Sequence, residues 1–324
     1  MRLSTLGQSG VSLSVVGLGG IVLGPDANEE PDVAMVVSAI EACRRSGINW
    51  VDTAEQYLLT RNEALIGAAL ERVEGEFLVC TKVAPGANPS AGTTGLRREE
   101  IHAACRASLK RLNREVIDWY LLHFPDSIGE VPLEESWGAM AELVEAGLVR
   151  AIGMSNYRLD DLERCHAERP VDGIEAGLSL VDFLGNRDYI AQCGALGIAV
   201  VCFDVLGGGV LSDKRPEQVR AGWEQLLEKD NLTQTGYYQR VLAPGKAERS
   251  AAVADGLRAI ANRLDATVPQ VALAWALHQP GVSAVLAGSR SPAHIGANAH
   301  AASLDLASEL DAIEQLIPLG PNYA

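Results

Sequence analysis

Four things are scarce or missing in this 324-residue chain, and each narrows what it can be. Positive charge is short: 27 Lys and Arg face 42 Asp and Glu, leaving a formal charge of −15. A net negative field repels phosphate backbones and anionic headgroups. Nucleic acid and membrane surfaces are therefore poor partners, and any anionic ligand must be held by a local basic cluster. Long apolar runs are absent; none approaches the roughly 20 residues that a spanning helix needs. The opening MRLSTLGQSG has no apolar segment of the kind a secretion signal carries, so the expected location is the cytoplasm. Cysteine pairs are missing too. Cys43, Cys80, Cys105, Cys165, Cys193 and Cys202 form no CxxC, and several sit in apolar runs such as LVCTK and AVVCF. They read as reduced thiols that behave as small hydrophobes, and no metal is expected. The fourth absence is a dinucleotide fingerprint. Gly17-Leu18-Gly19-Gly20-Ile21 is glycine-rich but does not match GxGxxG, and Gly24-Pro25-Asp26 follows where a helix should start. A doubly wound sheet is thereby set aside.

What is present is a regular alternation in a chain that is 48% hydrophobic. Arg2–Leu6 and Val11–Ser14 flank a turn-rich Gly7-Gln8-Ser9-Gly10 and read as a β-hairpin. Eight strand candidates follow: Val15–Leu18, Asn49–Val51, Phe77–Thr81, Ile117–Leu121, Val149–Gly153, Gly173–Leu178, Ile198–Phe203 and Ser283–Leu286. Between them lie helical patterns at Asp32–Arg45, Glu63–Arg72, Arg97–Leu112, Leu133–Glu145, Leu159–Ala167 and Arg187–Ala195, with apolar residues recurring at three and four. Eight such units in about 300 residues predict one α/β domain over residues 1–324, a (β/α)8 TIM barrel with parallel strands. Extra C-terminal helices are expected at Glu248–Leu264, Val268–Gln279 and Asp305–Leu316. The long irregular stretch Gly207–Lys246 is expected to hold a short helix around Pro216–Glu228.

In such a barrel the reactive side chains project from the C-terminal ends of the strands. Strand two runs into Asp52-Thr53-Ala54-Glu55-Gln56-Tyr57, strand three ends in Thr81-Lys82, and strand four ends before His123. Taken singly, each has an ordinary explanation: a cap, a solvated amine, a satisfied core imidazole. Four polar ends converging on one rim are harder to explain that way. A phenol is a poor acid at neutral pH, but a nearby ammonium favours its ionised form, so Lys82 is expected to lower the Tyr57 pKa. Asp52 would hold Lys82, and neutral His123 would orient a substrate oxygen. That is half of a carbonyl reduction; the hydride must come from a nicotinamide cofactor.

These residues carry a resemblance. Asp52-Thr-Ala-x-x-Tyr57, Cys80-Thr-Lys82, the run from Ile101 to Leu112 leading to Leu121-Leu-His123, Ile152-Gly-Met-Ser-Asn156, Leu206-Gly-Gly-Gly209 and Ala287-Gly288-Ser-Arg290 to Asn298 resemble the aldo-keto reductase superfamily over nearly the whole chain. They look most like the branch with potassium-channel β subunits and related bacterial reductases. The resemblance implies NADP(H), with Tyr57 as general acid, Asp52 and Lys82 tuning it, and His123 orienting the substrate. It implies Ser155, Asn156 and residue 175 at the nicotinamide carboxamide, and Phe203 stacked on the ring. Leu206, Gly208 and Lys214 fall near the pyrophosphate, although a solvated Lys214 is an equal reading. Gly288, Ser289, Arg290, His294 and Asn298 fall at the 2′-phosphate and adenine. At residue 175 the family usually has Gln and this chain has Glu175; a changed preference for the oxidised cofactor and a tolerated swap both stay open.

The expected partner is a small carbonyl or alcohol, with keto-sugars and other polar carbonyls suggested by the hydrophilic long loop; oligomerisation stays open. The pocket is expected to be formed by Gly24–Glu30, Pro85–Gly95, Asp126–Val131 and Gly207–Lys246, with Tyr237 and Tyr238 lining it or covering the barrel. Two other readings compete: a nicotinamide-binding regulatory subunit with little turnover, and an unrelated phosphate-binding barrel lyase or isomerase.

Overall fold

The computed structural model of the chain describes residues 1–24, 32–86, 95–126, 130–182, 184–214 and 245–317, with 218, 219, 221, 224 and 241–243 between the last two. A two-stranded antiparallel hairpin, β1 (Leu3–Thr5) and β2 (Ser12–Ser14), precedes eight parallel strands closed into a barrel. These are β3 (Val16–Gly19), β4 (Trp50–Asp52), β5 (Leu78–Val83), β6 (Ile117–Leu122), β7 (Val149–Ser155), β8 (Gly173–Gly177), β9 (Ala199–Phe203) and β10 (Val282–Ala287). They pair in chain order, and β10 closes on β3. All eight expected strands are present, with ends shifted by a residue or two.

Period-two alternation divides each strand between two cores. On β6, Trp119 and Leu121 join the cluster inside the barrel, while Tyr120 and Leu122 pack outward under the helices. On β5, Cys80 faces inward and Val79 and Val83 outward. The interior is tight enough that a Cβ on Gly17 would lie 2.2 Å from the Trp50 indole. Leu6, Val11 and Leu13 of the hairpin join this cluster, so the hairpin plugs one end of the barrel.

Ten α-helices lie among the described residues: α1 (Val33–Arg45), α2 (Arg61–Leu70), α3 (Arg98–Leu112), α4 (Leu133–Glu145), α5 (Leu159–Glu168), α6 (Arg187–Ala195), α7 (Ala247–Arg263), α8 (Val268–Leu277), α9 (Pro292–Ala299) and α10 (Leu310–Glu314). Local chemistry sets several starts. The Asp32 side chain accepts from Met35 N, and Thr267 and Gln270 cap one another at α8.

Two expectations at the C-terminal end need correction. The helix expected over Asp305–Leu316 is a single turn, α10. Asp305 Oδ1 accepts from Ala307 N, and Glu309 N donates to Leu306 O, so a turn takes the backbone groups a longer helix would need. Conversely, Pro292–Ala299, for which the sequence pattern gave no helix, is one; Ser291 caps it and Pro292 stands at its first position, where a missing N–H costs nothing. The helix expected around Pro216–Glu228 falls mainly outside the described residues. So do Tyr237, Tyr238 and most of the expected pocket loops. No helix among the described residues is long and apolar enough to cross a membrane.

Candidate active site

Asp52 ends β4 and Lys82 lies near the end of β5, both buried in the barrel. The chain between Asp52 and α2 is pinned at both ends. Thr53 Oγ1 donates to Asn62 Oδ1 at 2.6 Å, Asn62 Nδ2 donates to Gly20 O at 3.0 Å, and Glu55 Oε1 accepts from Ala84 N at 2.9 Å. Tyr57 stands in the middle of this span. Leu58, Leu59 and Thr60 follow it with φ of 52°, 54° and 73°. Three consecutive left-handed residues, none of them glycine, store strain beside Tyr57.

The four predicted side chains meet. Lys82 Nζ lies 5.4 Å from the centre of the Tyr57 ring. The Tyr57 and His123 rings are 5.7 Å apart and edge-on, at 74°. His123 follows β6 directly, and its N–H donates to Val83 O at 2.8 Å, which fixes it beside β5. Phe124 stacks on the imidazole at 4.3 Å, a contact sequence reasoning missed although the residue is adjacent. His123 Nδ1 is buried and has no hydrogen-bond partner among the described residues. Burial, reinforced by the Lys82 charge, holds the imidazole well below its usual pKa, so it is neutral at pH 7.

Asp52 holds Lys82 as expected, and two further groups share its ammonium. Its ammonium donates to Asp52 Oδ1 and, at 2.9 Å, to Thr53 O, and it lies 3.3 Å from Glu175 Oε2. An ammonium has three N–H groups. Hydrogen bonds to Asp52 and the Thr53 carbonyl take two of them, and the Glu175 carboxyl stands within ion-pair distance. Lys82 pulls the Tyr57 pKa down as expected, but burial outweighs it and, together with the Asp52 and Glu175 charges, holds the phenol above its ordinary value. Cys80, read as a core thiol, faces this group too, with Sγ 3.7 Å from Glu175 Oε1. Asp52, Cys80 and Glu175 offer metal-type donor atoms within 4.8 Å of one another, but the cation they surround is the Lys82 ammonium.

The other predicted residues lie along the ends of β7 to β10. Ser155 is buried at the end of β7. Asn156 follows with φ 64°, and its Nδ2 donates to Ser155 Oγ and His123 O, each at 3.0 Å. Glu175 is buried at the centre of β8, beside Ser155 in register, and half-buried Phe203 ends β9. Leu206 precedes the turn Gly207–Gly209, whose three residues all have positive φ, Gly208 at 60° among them; a side chain there would be strained. Lys214 is exposed beyond this turn. Gly288 and Ser289 follow β10, and Arg290 Nε donates to Val22 O at 2.6 Å, tying the start of α9 to the turn after β3. His294 is exposed on the first turn of α9 and Asn298 buried on its last.

The donor set runs from buried polar groups and an aromatic face, through bare glycine backbone, to a cationic side chain at a helix N-terminus. That order suits a nicotinamide ring, a pyrophosphate and a phosphorylated ribose.

The family model described as "Aldo/keto reductase family" matches residues 15–317. A protein named probable aldo-keto reductase 1 from Glycine max is 28% identical over 319 residues, covering 97% of this chain and 88% of its own. The aldo-keto reductase YhdN of Bacillus subtilis (strain 168) is 26% identical over 311 residues, covering 95% and 91%. Among solved structures, a thermostable aldo-keto reductase, Tm1743, in complex with the inhibitor epalrestat superposes with a TM-score of 0.73 at 28% identity, covering 98% of this chain and all of that one. A glycerol dehydrogenase from Gluconobacter oxydans shares the fold, with a TM-score of 0.78 at 23% identity over 99% and 98% of the two chains.

Proposed function

Because the chain belongs to the aldo/keto reductase family, we propose that it reversibly reduces a small aldehyde or ketone with NADP(H), using Tyr57 as the acid. The observation that carries this reading is the meeting of Tyr57, Lys82, Asp52 and His123 at the end of the barrel where β7 to β10 present the cofactor-type groups.

Bound there, a nicotinamide supplies the hydride that no side chain can. The protein's own residues do the rest. His123, neutral and with a buried nitrogen unpartnered, hydrogen-bonds the substrate oxygen and orients it. Tyr57, edge-on to His123, delivers its phenolic proton to that oxygen and regains it from solvent. Asp52 and the Thr53 carbonyl fix the Lys82 ammonium beside the phenol. Ser155, Asn156 and Glu175 hold the carboxamide end, and Phe203 offers its face to the ring. Leu206, Gly208 and Lys214 lie toward the pyrophosphate. Gly288, Ser289, Arg290, His294 and Asn298 hold the adenosine end. Arg290 favours the 2′-phosphate, and so NADP over NAD, because its fork of donors matches a phosphate.

The test is a screen of polar and apolar carbonyls that follows the absorbance of the reduced nicotinamide. Turnover of at least one carbonyl supports the reading. Cofactor binding without turnover of any points to a regulatory subunit, and no nicotinamide binding contradicts the proposal.

A further inference from the structure

Two carboxylates share one ammonium at the heart of the barrel. Lys82 Nζ donates to Asp52 Oδ1 from one side and lies 3.3 Å from Glu175 Oε2 on the other, and all three side chains are buried. The inward cluster around them is apolar, built from Trp50, Trp119, Leu121 and Val201 among others. If both carboxyls are ionised, this site carries one uncompensated negative charge in a low dielectric, which is costly to maintain. Binding one proton removes the excess.

We propose that Glu175 is a positioning residue that carries this proton, and that its protonation state decides whether Lys82 serves Tyr57. With the proton in place, Glu175 is a neutral acid that donates to Asp52 and makes little claim on Lys82. The Asp52, Lys82 and Glu175 group is then neutral overall, and the Lys82 charge acts on the phenol without a second carboxylate opposing it. When the proton leaves to solvent, the Glu175 carboxylate opposes the Lys82 charge, and Tyr57 faces a net negative cluster. The phenol becomes a weaker acid, and carbonyl reduction slows.

The groups facing Glu175 are Asp52 from β4, Cys80 and Lys82 from β5, and Tyr57 from the loop after β4. Its neighbours in register, Ser155 on β7 and Val201 on β9, carry no charge. Burial and the Asp52 charge push the Glu175 carboxyl up to about 8 against the opposing pull of Lys82. The Cys80 thiol is itself pushed well above its ordinary value, by burial and by Glu175, and stays a donor.

The kinetic part rests on the proposed reductase activity; the titration does not. The first arm uses cofactor-free protein carrying a carbon-13 label in its glutamate carboxyls, followed by NMR against pH. One resonance should titrate near 8, and it should be missing from Glu175→Gln and from Glu175→Ala, either of which suffices for assignment. The second arm compares pH profiles of carbonyl reduction. The wild-type rate should fall by about tenfold per pH unit above that midpoint. In Glu175→Gln, neutral at every pH, this limb should be lost. A Glu175 resonance in the ordinary carboxylate range, or profiles that coincide in wild type and Glu175→Gln, overturns the inference. A wild type that reduces no carbonyl but titrates near 8 sinks the reductase reading while leaving the proton on Glu175 established.

Discussion

Glu175 on β8 reaches Lys82 on β5, three strands away around the barrel, with Oε2 3.3 Å from Nζ. This contact makes the charged centre a trio of Asp52, Lys82 and Glu175, where the linear motifs suggested a pair. Burial first, and then the Asp52 and Glu175 charges, hold the phenol above its ordinary pKa despite an ammonium 5.4 Å from its ring.

Removing the ammonium should be costly. Lys82→Met leaves two buried carboxyls without their cation, a change expected to destabilise the fold by about 3–5 kcal/mol. Adding Glu175→Gln to it should recover part of the loss, because one of the stranded carboxyls is gone. Chemical denaturation of the single and double variants measures both effects; additive losses would mean that the two residues are not coupled.

Glu175 should also make stability depend on pH. Its carboxyl is raised from 4.5 to about 8 on folding. Between those values the folded protein keeps a proton that the unfolded chain has released, so stability falls as pH rises through that window. Glu175→Gln removes the dependence. Its Tm should gain on the wild type above about pH 8 and gain least below about pH 4.5, which thermal melts across the range will show.

Arg290→Ala should raise the Kd for NADP(H) by about tenfold or more and leave NAD(H) affinity much less changed, since one charge-assisted contact to a phosphate is lost. Fluorescence titration with the two cofactors distinguishes this from a general loosening of the β10–α9 turn, which would weaken both alike.

The barrel was legible because each strand is short and apolar and each helix keeps its three-and-four spacing. Chemistry at strand ends is legible for the same reason: Asp52, Lys82 and His123 follow apolar runs directly. Glu175 was placed from its motif position, but its partner was not. Reaching Lys82 depends on barrel closure, which linear spacing does not encode. Cys80 illustrates the same limit. Its position one pleat below Lys82 put it on the inward face, yet its apolar surroundings made it look like any core thiol. The start of α9 carries its own signal in Ser291-Pro292, a cap followed by proline, next to residues whose motif points to a phosphate.

The central claim is that Tyr57 gives a proton to a carbonyl oxygen while the cofactor reduces the carbonyl carbon. Its most direct test is deuterium transfer from deuterated NADPH to a carbonyl substrate, read by mass spectrometry for wild type and Tyr57→Phe. The account predicts label on the former carbonyl carbon, and a rate roughly 10²–10⁴-fold lower in the variant with cofactor affinity kept. Transfer at an undiminished rate without the phenol would contradict it.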